Sequence, residues 1–275
     1  MKTVLITGCS TGIGHAACEF FAERGWAVFA GSRRPETLNF RHTAIKPVAL
    51  DVNDTASIDR CFASLPPLEC VVNNAGYGLL LPFEDTPPEE IEKMFRTNVL
   101  GLMEVSRRAA RMMRERGHGL PTEAPSTRLG TGSAKTGTII NISSVLGVIG
   151  TPWYAAYSAT KWAVEGFSES LAHELKPFNV HVKIVEPGGT KTEFHDRAYA
   201  DFPVSDAYKE RFGRKRASRT SKGDYETPES VAEIIFDAAT DESWRLRYGA
   251  RQARKMLWWQ RVIGRDGLWK RLAAR

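Results

Sequence analysis

Tyr157 and Lys161 stand four residues apart where, from about Ala155, Ala, Val, Phe and Leu begin to recur at helical spacing. Both side chains therefore fall on one helix face. A free phenol, with a pKa near 10, is a poor base at neutral pH, but a cation held beside it favours the phenolate. Such a pair can exchange a proton with a substrate hydroxyl or carbonyl. Ser144 precedes Tyr157 by thirteen residues and follows the β-branched apolar run Gly137–Ser143, which reads as a buried strand. A strand-to-helix turn would bring its hydroxyl back to the same oxygen. Alone, Y-x-x-x-K is weak evidence, since a chain this long holds one by chance roughly one time in three.

The elements that must position these groups begin at the N-terminus. Thr3 to Thr7 forms a short apolar strand, the loop Gly8-Cys9-Ser10-Thr11-Gly12-Ile13-Gly14 follows, and a helical pattern through Ala16, Ala17, Phe20 and Phe21 stops at Arg24-Gly25. Strand, glycine loop and helix in that order let backbone N–H groups approach a pyrophosphate at a helix N-terminus. The spacing is G-x-x-x-G-x-G, not the commoner G-x-G-x-x-G. The next strand, Trp26 to Ala30, ends in Gly31-Ser32-Arg33-Arg34. Folds that bind NAD usually place an acid there for the ribose hydroxyls, whereas arginine suits a 2′-phosphate. NADP(H) is therefore expected over NAD.

Further strands at Pro47 to Leu50 and Glu69 to Val72 end in Asp51-Val52 and in Asn73-Asn74-Ala75-Gly76; small residues after a parallel strand leave room for a ligand. A long helix opens at Thr86-Pro87-Pro88-Glu89-Glu90 and carries Asn98 beside Gly101. Val180 to Val185 is another strand, Thr227-Pro228 starts an amphipathic helix, and Arg245 to Tyr248 supplies a short last strand.

The composition, 42% hydrophobic and 25% charged over 275 residues, is that of an ordinary soluble globular protein with one large α/β domain. No apolar run reaches the 18 or so residues that span a bilayer. Cys9, Cys18, Cys61 and Cys70 show no C-x-x-C spacing and no His cluster, so neither a disulfide frame nor a metal site is expected, and the setting is read as reducing and cytoplasmic. The net charge of +6 gathers in Lys209–Lys222 and from Arg245 onward without a nucleic-acid recognition motif, so no nucleic-acid partner is expected.

TGCSTGIG at 7 to 14, NNAG at 73 to 76, Asn98, Ser144, and Tyr157 with Lys161 together resemble the single-domain short-chain dehydrogenases/reductases from Thr3 to Thr192. The resemblance implies a doubly wound Rossmann fold with a seven-stranded parallel sheet and helices on both faces, spanning 1–275 as one domain. It implies a nicotinamide cofactor and a catalytic tetrad of Asn98, Ser144, Tyr157 and Lys161, with Lys161 also on the nicotinamide ribose. It assigns Gly8, Ser10, Thr11, Gly12, Ile13 and Gly14 to the pyrophosphate loop, Arg33 and Arg34 to the 2′-phosphate, Asp51 and Val52 to adenine, and Asn74, Ala75 and Gly76 to the adenosine ribose. Pro187-Gly188-Gly189-Thr190-Lys191-Thr192 resembles the family's P-G-x-x-x-T, in which Thr190 and Thr192 would hold the carboxamide.

The implied activity is interconversion of a small alcohol and carbonyl, with the nearest branch acting on steroid- or retinoid-like alcohols and with homodimers or homotetramers common among relatives. A dinucleotide-sensing scaffold without turnover is the competing reading; such proteins usually lose the Tyr or the Lys. Residues 117–136, rich in Gly, Pro, Ser and Thr, depart from the family as a surface insertion. Residues 190–224, mixing aromatics such as Phe194, Tyr199 and Phe212 with charges, suit a substrate lid. The amphipathic basic tail 250–275 is expected to pack by the pocket or against another subunit, in preference to resting on an anionic membrane.

Overall fold

The computed structural model describes residues 1–116, 136–192, 202–221 and 225–273. Of the expected insertion only Thr136 falls within these ranges, and of the expected lid only 190–192 and 202–221; Phe194 and Tyr199 lie outside the described residues.

Among the described residues seven strands form one parallel sheet in the order β3-β2-β1-β4-β5-β6-β7. They are β1 (Thr3–Thr7), β2 (Ala27–Ser32), β3 (Ile45–Ala49), β4 (Cys70–Asn73), β5 (Gly137–Ile142), β6 (Val180–Glu186) and β7 (Arg247–Gly249). Apolar residues alternate between the two faces because a strand turns successive side chains to opposite sides. Val4, Ile6, Val28, Ala30, Val72 and Ile140 face α1 (Gly12–Glu23) and α7 (Pro228–Thr240). Leu5, Phe29, Val71, Ile139 and Val182 face α2 (Thr55–Ser64), α4 (Leu102–Arg116) and α5 (Ala155–Leu175). Buried on both sides, the strands read as continuous hydrophobic runs, and each fully buried side chain such as Phe21 or Ile139 contributes about 1.5–3 kcal/mol.

Strand order reverses between β1 and β4, opening a crevice at the carboxyl edge where open α/β sheets bind ligands. Loops after β1, β2, β4, β5 and β6 all reach this edge. The opposite, amino edge receives the end of α4 at Arg116, whose guanidinium pairs with Glu69 at 2.6 Å, and the start of β5 at Gly137.

The single long helix expected after Thr86 is two: α3 (Pro88–Phe95) and α4, joined by a π-helical turn, Arg96–Gly101. A Cβ at Gly101 would lie 2.7 Å from the Val52 carbonyl oxygen, so the chain there must approach the loop after β3 closely. The remaining elements are α6 (Asp206–Ser221), within the span expected to be a lid, and α8 (Arg251–Ala273), which holds a non-helical break at Gly264 with φ +72° and ψ 170°.

Candidate active site

The loop after β1 is bound to the end of β4. Asn74 Nδ2 donates to the carbonyls of Thr7 at 2.9 Å and Gly8 at 3.0 Å, and the N–H groups of Asn74 and Ala75 donate to Thr7 Oγ1. Gly8 sits at φ +70° and Gly12 at φ +60°, the left-handed region that glycine enters without cost. A side chain at Gly8 would also meet Ala75 Cα at 2.8 Å. Thr11 caps α1 without a side-chain bond, and the helix's first turn holds no acidic residue.

These groups form one wall of a cleft of about 1770 Å³. Its lining takes Gly8, Ser10, Thr11, Gly12 and Ile13 from the first loop, Ser32 and Arg33 from the end of β2, Asp51 and Val52 after β3, and Asn74, Ala75 and Gly76 after β4. Pro187, Gly188, Thr190 and Thr192 line it after β6. Three expected site residues, Gly14, Arg34 and Asn98, are not in the lining. Gly14 lies beneath the loop, where a Cβ would come within 2.4 Å of the Gly8 carbonyl oxygen and 2.5 Å of Asn74 Nδ2, so it permits packing. Arg34 is absent from the lining, its backbone N–H tied to Ser32 Oγ at 3.2 Å and its carbonyl closing the short helix at Pro35–Thr37.

At the other end of the cleft stand Ser144, Tyr157 and Lys161, all buried. Ser144 caps the turn after β5, its Oγ accepting from Leu146 N at 3.1 Å. Burial pushes the Tyr157 phenol well above its usual range, and a hydrogen bond with the Ser144 hydroxyl pulls it partly back. Lys161, one helical turn on, holds its Nζ 5.7 Å from the Tyr157 ring centroid and donates to the Ile142 carbonyl at 2.7 Å. The sequence suggested that the ammonium draws the phenol down; in the structure desolvation governs both groups. Burial lowers Lys161 to about 8, while Glu165 works to raise it.

Glu165 is the next residue on that face and belongs to a buried charge cluster that sequence reading missed. Arg247 Nε lies 3.1 Å from Glu165 Oε2 and 3.7 Å from Glu186 Oε1. Desolvation raises both carboxyls, Glu186 to about 7, against the pull of Arg247. The i, i+4, i+8 spacing of 157, 161 and 165 was the available signal.

Asn98 does not line the cleft but is 1% exposed directly behind it. From the π turn its Nδ2 donates to the Tyr77 carbonyl at 2.7 Å and Thr160 Oγ1 at 3.1 Å, and its Oδ1 accepts from Tyr77 N at 3.0 Å. It thereby joins the loop after β4 to α5. Deeper, Asn73 Nδ2 donates to Asn141 Oδ1 at 2.8 Å and to Ser106 Oγ at 2.9 Å, fixing the ends of β4 and β5.

The open side carries residues without a sequence motif. Leu146, Trp153, Tyr154, Met256 and Leu272 line the mouth with apolar surface, beside Arg211, Arg214 and Lys215 of α6. Trp153 is held at φ +75°, rare for a bulky residue and of the kind that collects at functional sites. Its ring meets Tyr208 and Phe212 of α6 at 5.8 and 5.6 Å. That helix is fastened by Tyr208 Oη donating to Glu84 Oε1 at 2.7 Å and by Ser205 N donating to Asp85 Oδ2 at 3.0 Å. Gln252 of α8 accepts from Gly189 N at 2.8 Å and donates its own N–H to Glu226 Oε1 at 3.0 Å, tying α8 to the loop after β6.

A family model described as short chain dehydrogenase matches residues 2–201. An uncharacterized oxidoreductase of Schizosaccharomyces pombe is 36% identical over 198 residues, covering 70% of this chain and 62% of that protein, so the chain spans less than two thirds of its length. The uncharacterized oxidoreductase YusZ of Bacillus subtilis is 34% identical over 267 residues, 90% of this chain and 88% of that one. Among solved structures, a short-chain dehydrogenase from Streptomyces avermitilis superimposes with a TM-score of 0.77 at 29% identity, covering 99% of this chain and 98% of the other. The closed form of serine dehydrogenase complexed with NADP+ gives 0.72 at 29% identity, covering 89% and 93%.

Proposed function

The chain belongs to the short-chain dehydrogenase family, and from that premise we propose that this oxidoreductase uses NADP(H) to interconvert an alcohol and a carbonyl on a small apolar substrate. The observation that carries the reading is the hydrogen-bonded pair of Ser144 and Tyr157 hydroxyls at one end of a cleft whose other end is a glycine loop.

The residues fit a dinucleotide. Positive φ at Gly8 and Gly12 turns the loop so that backbone N–H groups of the acid-free first turn of α1 can meet a pyrophosphate. Arg33 on the cleft wall supplies a fork for a 2′-phosphate, and serine dehydrogenase, similar in structure, holds NADP+. Asp51 and Val52 would flank the adenine, Asn74 to Gly76 the adenosine ribose, and Thr190 with Thr192 the carboxamide. When bound, the nicotinamide donates or accepts the hydride.

The chain's own residues handle the oxygen and its proton. Ser144 would hold the substrate oxygen by hydrogen bond, and Tyr157 would pass it a proton as a carbonyl becomes an alcohol. Its raised pKa keeps the phenol protonated at neutral pH, which suits it as the acid for reduction. In the oxidative direction the same atom takes the proton back. Lys161, charged below about pH 8, would stabilise the phenolate so formed and fix the ribose. Asn98 holds Tyr77 and α5 in register, and Trp153, Tyr154, Met256 and Leu272 exclude water from the apolar mouth.

The test is oxidation of NADPH against a panel of steroid, retinoid, aromatic and short aliphatic carbonyls, with Tyr157→Phe in parallel. Turnover of at least one carbonyl of the panel, abolished in the variant while dinucleotide still binds, supports the reading. Dinucleotide binding without turnover of any member would instead favour a sensing or scaffold role.

A further inference from the structure

The last 26 residues, Ala250 to Arg275, hold eight Lys and Arg against one acid, Asp266. The preceding 249 residues hold 30 basic and 31 acidic ones, so the tail is strongly cationic while the rest of the chain is close to balanced. α8 is built asymmetrically. Before the break at Gly264, its exposed side chains are Arg251, Arg254, Lys255, Trp258, Arg261 and Val262, whose spacing of three and four places them along one face. Ala253 is buried and Met256 lines the cleft, so the other side of the helix is already occupied by the protein. Trp258 and Val262 are each 56% exposed in the middle of the cationic face, Ile263 is 37% exposed, and past the break Trp269 is 65% exposed. Arg265 lies 4.5 Å from the Trp162 ring of α5, which holds the second segment to the body, and Arg271 lies the same distance from the Trp259 ring of the first segment.

An exposed face that combines tryptophan and aliphatic side chains with a fence of Lys and Arg is unfavourable in water and complementary to an anionic interface. Indole rings partition to the headgroup level, and the cations meet lipid phosphates. Among the described residues no helix is long and apolar enough to cross a membrane, so contact through this face would be peripheral. A second copy meeting this one through the same face would bring the same excess of positive charge against it and be repelled. The face carries no nucleic-acid recognition motif. We propose that α8 is a docking helix for anionic lipid surfaces, with Trp258, Val262 and Trp269 entering the headgroup layer and Arg254, Lys255 and Arg261 contacting phosphates. This docking stands whether or not the cleft turns over a substrate.

The experiment is flotation of the full chain with vesicles of phosphatidylcholine alone and of phosphatidylcholine mixed with phosphatidylglycerol, read by protein recovery and by tryptophan emission. Flotation with the anionic vesicles only, loss on raising salt, and a blue shift of emission are expected. Each cation removed should weaken binding about fivefold, so R254Q/K255Q/R261Q should lose on the order of 100-fold with an unchanged melting temperature. The double variant W258S/W269S, which leaves the charge intact, should abolish the blue shift and weaken flotation. Equal flotation with neutral vesicles, or none with anionic ones, overturns the proposal. So does a triple variant that floats normally, or whose lost property is oligomer size in ultracentrifugation or a shifted oligonucleotide on a gel.

Discussion

At the carboxyl edge of the sheet, polar side chains are buried or half-buried and tied across several elements: Asn98 bonds both Tyr77 and Thr160, Asn74 bonds both Thr7 and Gly8, and Lys161 is locked onto Ile142. On the cover formed by α6 and α8, charged groups stand in water, and pairs such as Arg214 with Glu210 or Lys209 with Asp206 join neighbours on the same helix. The first arrangement fixes atoms to within a few tenths of an ångström because an orphaned buried group costs about 1–3 kcal/mol. Exposed pairs are worth about 0–1 kcal/mol, so the second can move or vary at little cost. Chemistry and substrate choice are thus carried by parts of opposite stiffness.

Five substitutions at the edge and one on the cover probe that contrast. The largest loss is expected from Tyr157→Phe, which should cut turnover by about 10²–10⁴-fold while leaving NADPH affinity, followed by fluorescence titration, nearly unchanged; weakened dinucleotide binding would contradict the role of the phenol. Asn98→Ala strands the Tyr77 N–H and C=O, and unfolding measurements should show a loss of about 2–5 kcal/mol. Arg33→Ala should weaken NADPH about 10- to 100-fold with little change for NADH, and equal effects on both would remove the 2′-phosphate assignment.

The charge cluster yields pH effects in defined directions. Glu186 keeps its proton up to about pH 7 in the folded protein against 4.5 when unfolded. The folded state therefore binds the extra proton between those values, and stability falls as pH rises through that window. Glu186→Gln should flatten the dependence of melting temperature on pH between about 5 and 7. Glu165→Gln removes the charge that supports Lys161, so the alkaline limb of kcat/KM, expected at about 8, should move to lower pH. On the cover, Tyr208→Phe breaks the bond to Glu84 and should change KM within about fivefold, leaving kcat intact. A large kcat effect there would erase the distinction between edge and cover.

The sheet and the edge were legible in the sequence because buried parallel strands are continuous apolar runs and because their loops need glycine and small residues. Strand ends were displaced by at most two residues, as at β7, which is Arg247–Gly249 and not Arg245–Tyr248. The π turn was hidden because its residues continue a helical pattern, and only the clash of a Cβ at Gly101 with Val52 explains the glycine. Arg34 was included with Arg33 on chemistry alone, and of the two only Arg33 lines the cleft. α6 gave no periodic signal because, among its described side chains, Phe212 alone is buried. The strained Trp153 follows from its packing between the loop after β5 and α6, contacts far apart in the chain.

The amino edge of the sheet has a practical use. Arg116 and Gly137 both lie there, and β5, six residues long, separates them from Ser144 by about 20 Å. A fluorescent domain or affinity handle joined between Arg116 and Gly137 would therefore be tethered at the edge remote from the reacting atoms.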